Sequence, residues 1–448
     1  MPAEKMEKAR CQEIFSELVK YSDADETELL LYGGSSALTR FANNTIHQNV
    51  AEEGYTLSVR TAYGQRTARA TTNKFDSESL QRVVAESSSL ARQQQPDPEL
   101  LPMPGPQSYP PVDRYFEPTA AVNPNQRAAV VASAIRVAEK DGLTAAGTFS
   151  TGEGMQALLN SRGVAAYYRG TQAEFSITTM GPTSTGWTKK TAPDASEIDG
   201  EALAESASQI ATRSRDPREI EPGHHVAILT PAAVLDLIGF MFYDFSGQAV
   251  RDQRSFLTDR LGAKLFGENI NISDDVYHPL QFGPPFDGEG MCRQALPLVE
   301  RGVVKNLTYA RATAKAMGKE PTGHGFPLPN EYGEFPSNIV FAGGTHSVDE
   351  MIASTARGIL VTRLWYIREV DPYKKILTGM TRDGTFYVEG GKVKHAVRNL
   401  RFNQSLKELL NQVELLGPAV RAAGEESFEM VVPAMRVANF HFTEVTKY

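Results

Sequence analysis

The sequence predicts an α+β protein of two domains, each of mostly antiparallel sheet with helices, and three observations carry that prediction. First, 448 residues with 41% hydrophobic content exceed what one ordinary core needs. Second, segments with the period of a strand alternate with segments of helical period along the whole chain. Third, the break Pro222-Gly223 separates a helical segment from a new apolar strand at Val226-Ala-Ile-Leu-Thr. The boundary is therefore placed there, giving domains 1–221 and 222–448.

Cys11, Ile14, Phe15, Leu18 and Val19 follow helical spacing and end near Ser22-Asp-Ala-Asp. Glu28-Leu-Leu-Leu-Tyr, Ala37-Leu-Thr-Arg-Phe and Tyr55-Thr-Leu-Ser-Val-Arg read as strands, parted by Gly-Gly, Asn-Asn and Tyr-Gly-Gln turn material. Ser77 to Gln93 reads as helix. Prolines between Pro96 and Pro118 recur too densely for helix or central strand, which predicts an extended surface connection. Asn123-Pro124 supplies an N-cap with proline at the first helical position, and Gly142 supplies the stop. Alternation from Thr148 to Thr185 predicts antiparallel strands with one polar face, followed by a helix from Glu197 to Arg213.

Net charge of −8 without a long basic run removes the electrostatic footprint of a nucleic-acid binder. The N-terminal decapeptide is charged where a signal peptide is apolar, and the most apolar stretch, Val226 to Tyr243, contains Pro231 and Asp236. Only Cys11 and Cys292 occur, too few for a disulfide framework or a cysteine-rich zinc site. These features together give a cytoplasmic reading. No nucleophile elbow, phosphate loop or dinucleotide fingerprint supports a serine hydrolase, nucleotide enzyme or dehydrogenase.

Individual polar residues each carry a functional and a structural reading. His224 and His225 are adjacent, so on a strand they point to opposite faces and read as structural. His324, in a glycine-flanked loop, is a candidate to face a cavity or to be an ordinary loop histidine. Asp287 and Glu289 are candidates for a carboxylate pair, but Asp-Gly-Glu-Gly also reads as a hairpin turn, and the turn is the favoured reading. Arg382 and Asp383 offer a backbone or carboxylate contact, or an internal salt bridge. Phe240, Phe242, Tyr243 and Phe245 cover too much of a helix circumference for an amphipathic stripe, so they belong to a core, a dimer contact or a cavity wall.

Several blocks, in order and over nearly the whole chain, carry a resemblance to a known family. They are Arg40-Phe-Ala-Asn-Asn-Thr-Ile, Gly54-Tyr-Thr-Leu-Ser-Val-Arg, Leu159-Asn-Ser-Arg-Gly, Pro222-Gly-His-His-Val-Ala-Ile-Leu-Thr-Pro, Phe286-Asp-Gly-Glu-Gly, Thr322-Gly-His-Gly-Phe and Gly379-Met-Thr-Arg-Asp-Gly-Thr-Phe. The chain resembles the TldD/TldE peptidases, whose TldE branch is also called PmbA and was named a modulator of DNA gyrase.

The resemblance implies a two-domain α+β fold, a dimer enclosing a cavity, and a zinc peptidase that takes extended peptides. In the TldD branch a His-Glu-x-x-x-His helix and a later cysteine bind zinc, and the glutamate activates water. Aligned on Pro-Ala-Ala-Val-Leu and Ser-Gly, those helix positions, within residues 232–247, fall on Ile238, Gly239 and Tyr243. Isoleucine has no donor atom, glycine has no side chain to act as base, tyrosine is a poor ligand at neutral pH, and no cysteine follows Cys292. The loss matches the TldE branch, which implies a non-catalytic subunit with no cofactor of its own, zinc in a TldD-like partner, and an extended peptide bound between them. Tyr243, Asp287, Glu289, His324, Arg382 and Asp383 are then the peptide-binding or cavity candidates. Two alternatives stand beside this reading: a homodimeric peptide hydrolase using an unrecognised site, and a regulatory binding protein.

Overall fold

The computed structural model describes residues 6–446. In the first half the elements are α1 (Lys8–Tyr21), β1 (Glu26–Ala42), β2 (Thr45–Tyr63), β3 (Arg66–Thr72), α2 (Ser77–Gln93), α3 (Glu117–Ala120), α4 (Pro124–Lys140), β4 (Thr144–Asn160), β5 (Ala165–Met180), β6 (Thr185–Ala192) and α5 (Gly200–Arg213). The strands form one six-stranded antiparallel sheet in the order β3-β2-β1-β4-β5-β6. Strict alternation sends Leu29, Leu31, Leu57, Val59, Ala157 and Leu159 toward α1 and α2, and Phe149, Ala173, Phe175 and Ile177 toward α4 and α5. The other face keeps Gln172, Glu174, Ser176 and Thr178 and turns toward the second half of the chain.

Sequence reading split β1 at Gly33-Gly34, yet the strand runs through both glycines. They sit at φ +150° and +158°, and a Cβ would lie 2.2 Å from Gly54 O at Gly33 and 2.0 Å from Glu153 O at Gly34. Glycine here permits close passage of neighbouring backbones rather than a turn. The turns fall where Asn43 and Asn44, both at positive φ, reverse the chain between β1 and β2. Asn123 caps α4 in a reciprocal capping box with Gln126, and Gly142 follows the helix at φ +69°. The helix expected from Glu197 starts at Gly200, because Asp199 caps it after a short 3₁₀ turn at Ala195–Glu197.

The second half contains β7 (Gly223–Leu229), α6 (Pro231–Ile238), α7 (Gly247–Arg251), β8 (Ile272–Asp274), β9 (Leu296–Glu300), β10 (Val303–Val304), α8 (Arg311–Met317), β11 (Ile339–Phe341), α9 (Val348–Ala353), β12 (Arg357–Asp371), β13 (Ile376–Glu389), β14 (Lys392–Ala396), β15 (Leu400–Ser405), α10 (Leu406–Asn411), β16 (Val413–Ala422) and β17 (Met430–Val445). Its 11-stranded sheet is mixed, since β7 pairs with β12 and β11 with β17 in parallel. β17 also pairs with β7, so β17, β15, β13, β12 and β7 close into a ring. The main apolar core lies against this sheet and takes in α6 with Met241, Phe242 and Phe245.

The proline-rich connection is extended, as expected, but it is more than a surface tether. Met103 is buried, Asn160 donates to Pro104 O at 3.0 Å, and Tyr109 donates to Gly290 O at 2.7 Å. Leu30, Leu158 and Ala166 of the first sheet and Val164 of the turn between β4 and β5 pack on Phe286 from the second half. Glu28, Arg60 and Arg69 form a buried ion cluster beside them, and Arg69 also donates to Leu328 O. No helix among the described residues is long and apolar enough to cross a membrane.

Candidate functional site

The segment after β7 is helical because Pro231 at the first position needs no amide partner and the residues that follow, Asp236 apart, are apolar on every side. The α-helix ends at Ile238, and Gly239–Phe245 continues as 3₁₀, where one unbroken helix was expected. Ser246 then caps α7 through its hydroxyl and donates to the buried Glu334 at 2.7 Å.

The positions expected to correspond to metal ligands do not fit a metal. Ile238 is fully buried in the core. A Cβ on Gly239 would lie 1.7 Å from Ser427 Oγ, so the Gly424–Phe428 loop already occupies the space a side chain would need. Tyr243 is half-buried and its hydroxyl accepts from Arg254 at 3.4 Å. Among the described residues no three His, Cys, Asp or Glu side chains come together in a metal-holding group. Phe242 and Phe245 are core residues, whereas Phe240 and Tyr243 are half-buried.

Asp236, one turn before Gly239, is fully buried and holds the same loop from beneath. Its Oδ1 accepts from the Glu426 amide at 3.1 Å, and its Oδ2 has no hydrogen-bond partner among the described residues. Burial pushes its carboxyl up to about 7, against the opposing pull of the Glu426 amide. A folded-state value raised above the unfolded one means native Asp236 favours its proton. Its contribution is complete below pH of about 4 and is lost as pH rises through about 7. Asp236→Asn is therefore expected to flatten the thermal-midpoint profile between those values and to match or exceed wild-type stability at pH 8. A wild-type profile that stays flat across this range would contradict the assignment.

Beside this loop the two halves meet in a polar seam. Asp383 lies in a β-bulge, where Thr362 of β12 faces both Asp383 and Gly384 of β13. At φ 51° the bulge turns the Asp383 carboxylate onto Arg363 Nη1 at 2.7 Å and the Thr185 hydroxyl of β6 at 2.6 Å. The Arg363 guanidinium stacks between Trp187 of β6, at 4.3 Å, and Trp365, at 5.1 Å. Arg382 is half-exposed, stacks on Trp365 at 4.7 Å and lies 3.6 Å from Asp383. Lys189 of β6 joins Glu174 at 3.2 Å and Glu425 at 3.9 Å, and Glu426 accepts from the Tyr366 amide at 2.7 Å. Tyr366 itself sits at φ 55°, a strained conformation for an aromatic residue, in a second bulge of β12.

Asp287, Glu289 and His324 are brought near one another, but inside the protein. Asp287 accepts from the amides of Glu289 and Met291, each at 2.9 Å, and of Gly325 at 2.8 Å, the bonding of a tight turn. Glu289 accepts from the Arg311 amide at 3.0 Å, and burial followed by the Asp287 charge pushes its carboxyl up to about 7. The fully enclosed His324 bridges Thr322 at 2.9 Å and Asp274 at 3.0 Å. Burial alone would raise Asp274, but His324 and Arg293 outweigh it and hold the carboxyl below its usual range.

A cavity of about 450 Å³ lies on the polar face of the first sheet, between Ser36, Gly152, Gln172 and Glu174 and the Phe282–Pro284 segment, and another, of about 710 Å³, is lined by Thr185 and Asp383 of the seam. Sequence reasoning missed Asp236, Trp187, Lys189 and Arg363, although the chain has only two tryptophans and both converge on Arg363.

Three family models match successive parts of the chain: PmbA/TldA metallopeptidase domain 1 at residues 27–91, the central domain at 117–215 and the C-terminal domain at 222–444. The metalloprotease PmbA of Escherichia coli O157:H7 is 21% identical over 93% of this chain and 92% of its own length. An uncharacterized protein of Methanocaldococcus jannaschii is 30% identical, but the match spans 42% of this chain and only 44% of that protein. The crystal structure of TldE from Thermococcus kodakarensis superposes with a TM-score of 0.88 over 97% of this chain and all of that chain, at 22% identity, a likeness of fold.

Proposed function

Because the chain belongs to the PmbA/TldD metallopeptidase family, we propose that it is the TldE-like subunit of a two-chain peptidase, holding extended peptides for cleavage at a zinc site carried by a TldD-like partner. The observation that carries this reading is Gly239. The residue that stands where the family's water-activating glutamate would be has no side chain, and Ser427 fills the space beside it. No proton transfer can be assigned to that position. What remains for this chain is binding. Polar strand faces and the half-exposed Arg382 offer backbone and carboxylate contacts to an extended peptide.

The alternative of a self-sufficient hydrolase leans on Asp287 and Glu289, and their burial at 2% and 3% exposure counts against it. The test is hydrolysis of an unstructured peptide by the purified chain, alone and mixed with a TldD-like protein from the same source. Cleavage only in the mixture supports the subunit reading. Metal-dependent cleavage by the lone chain overturns it.

A further inference from the structure

The outer edge of β2 is left without a neighbour along most of its length. β2 pairs with β1 from Thr45 to Ala62, but β3 covers only Leu57 to Tyr63. Between residues 45 and 56 no described strand pairs with the other side. The pairing skips one residue between Ile46 and Gln48, so the regular open stretch is Gln48–Thr56. In an antiparallel strand every second residue points its amide and carbonyl away from its partner, and an open row of such groups is a template for another extended chain. Native edges are commonly protected by charged side chains, above all lysine, by proline or by brevity; this stretch has no lysine or proline, and its only charges are Glu52 and Glu53.

The chemistry of the edge selects what pairs there. Gln48, Asn49 and Ala51 to Gly54 are exposed, and Glu52 and Glu53 project to opposite faces of the sheet at its middle. Neither carboxylate has an ion-pair or hydrogen-bond partner among the described residues. A second copy of this chain is disfavoured as the occupant. Pairing β2 with itself about the centre of the regular stretch would set Glu52 directly opposite Glu52, and like charges so placed are destabilising. An incoming chain with lysine or arginine near its middle meets the opposite situation.

Register ties the edge to the cavity. Glu52 faces Ser36, Ser36 faces Gly152, and Gly152 faces Gln172, one row across β2, β1, β4 and β5. Ser36, Gly152 and Gln172 all line the cavity, and Gln172 donates to Glu429 of the second half at 3.3 Å. The small side chains of Ser36 and Gly152 leave that row low, so side chains from an added strand have a path from the edge toward the cavity.

We propose that Gln48–Thr56 takes up an extended peptide bearing lysine or arginine as an added strand of the first sheet, with Glu52 and Glu53 contacting its cationic side chains on the two faces. The proposal rests on the peptide-binding reading above and assigns it a place and a charge preference. Its test is fluorescence anisotropy with three labelled ten-residue peptides. One alternates threonine and valine with two central lysines, one carries glutamates instead, and one is the lysine peptide N-methylated at alternate amides.

Wild type is expected to bind the lysine peptide at least tenfold more tightly than the glutamate and N-methylated peptides. Glu52→Lys with Glu53→Lys, both at exposed positions, is expected to reverse the charge preference with the thermal midpoint unchanged. If the double variant keeps its midpoint and binds the lysine peptide as wild type does, the β2 edge is wrong while peptide binding stands. If wild type binds none of the three, both the edge and the peptide-binding reading fall.

Discussion

Replacing Arg363 by alanine is expected to lower the stability of the seam by about 3–5 kcal/mol, the cost of removing one partner from a buried ion pair. Asp383 is only 5% exposed and would be left with the Thr185 hydroxyl as its near-ideal partner and Arg382 at 3.6 Å. Two cation–π contacts would go with the charge, adding roughly 0.5–2 kcal/mol each at a desolvated site. The readout is built in, because the only two tryptophans both pack on the guanidinium. Emission should shift to the red and the first unfolding transition should move to lower denaturant. Arg363→Lys keeps the charge but not the planar stack, so it should fall between the two. An alanine variant with unchanged emission and midpoint would mean that Arg363 does not join the halves.

The second large effect is expected at Gly239, where two opposing terms can be compared. Its backbone is helical, φ −54° and ψ −30°, so alanine should gain about 1 kcal/mol from helix propensity. Against this, the new Cβ would lie 1.7 Å from Ser427 Oγ and 2.6 Å from Ser427 Cβ. Rotating the hydroxyl relieves only the first contact, so the loop itself must move, and overpacking of this kind costs typically 1–3 kcal/mol and occasionally more. Gly239→Ala is therefore expected to be net destabilising by thermal or denaturant unfolding. Ser427→Gly in the same chain should restore most of the loss, a coupling between the two positions that additive effects would not give. Equal midpoints for Gly239→Ala and wild type would show that the loop is not seated against the helix.

Much of the fold was legible because it rests on local chemistry. The proline at position 124 with its asparagine cap, the Asn43-Asn44 turn and the alternation of β5 each act within a few residues, and each appears where the sequence places it. Gly33-Gly34 was misread for a physical reason. A glycine pair signals either a turn or a close passage, and only the neighbours across the sheet, Gly54 and Glu153, decide between them. The close approach of Ser427 to Gly239 likewise involves a loop nearly two hundred residues away in sequence.

The candidate site was legible mainly as a loss. Ile238, Gly239 and Tyr243 can be read as lacking metal chemistry one residue at a time. Asp383 and Arg382 were found, but their main partners, Arg363, Thr185 and Trp365, were not, since nothing local links residue 185 to residue 383. Asp236 was noted only as an interruption of an apolar run. Its role in holding the Glu426 amide depends on burial that no local pattern reveals.

The central claim is that this chain supplies no metal ligand to a peptidase whose zinc lies in a partner. Native mass spectrometry of the purified chain and of its mixture with a TldD-like protein, both after incubation with zinc and desalting, tests it most directly. The account predicts no retained zinc in the lone chain and one zinc per TldD-like subunit in any complex. Stoichiometric zinc retained by the lone chain, and lost on substitution of residues within 232–247, would contradict it.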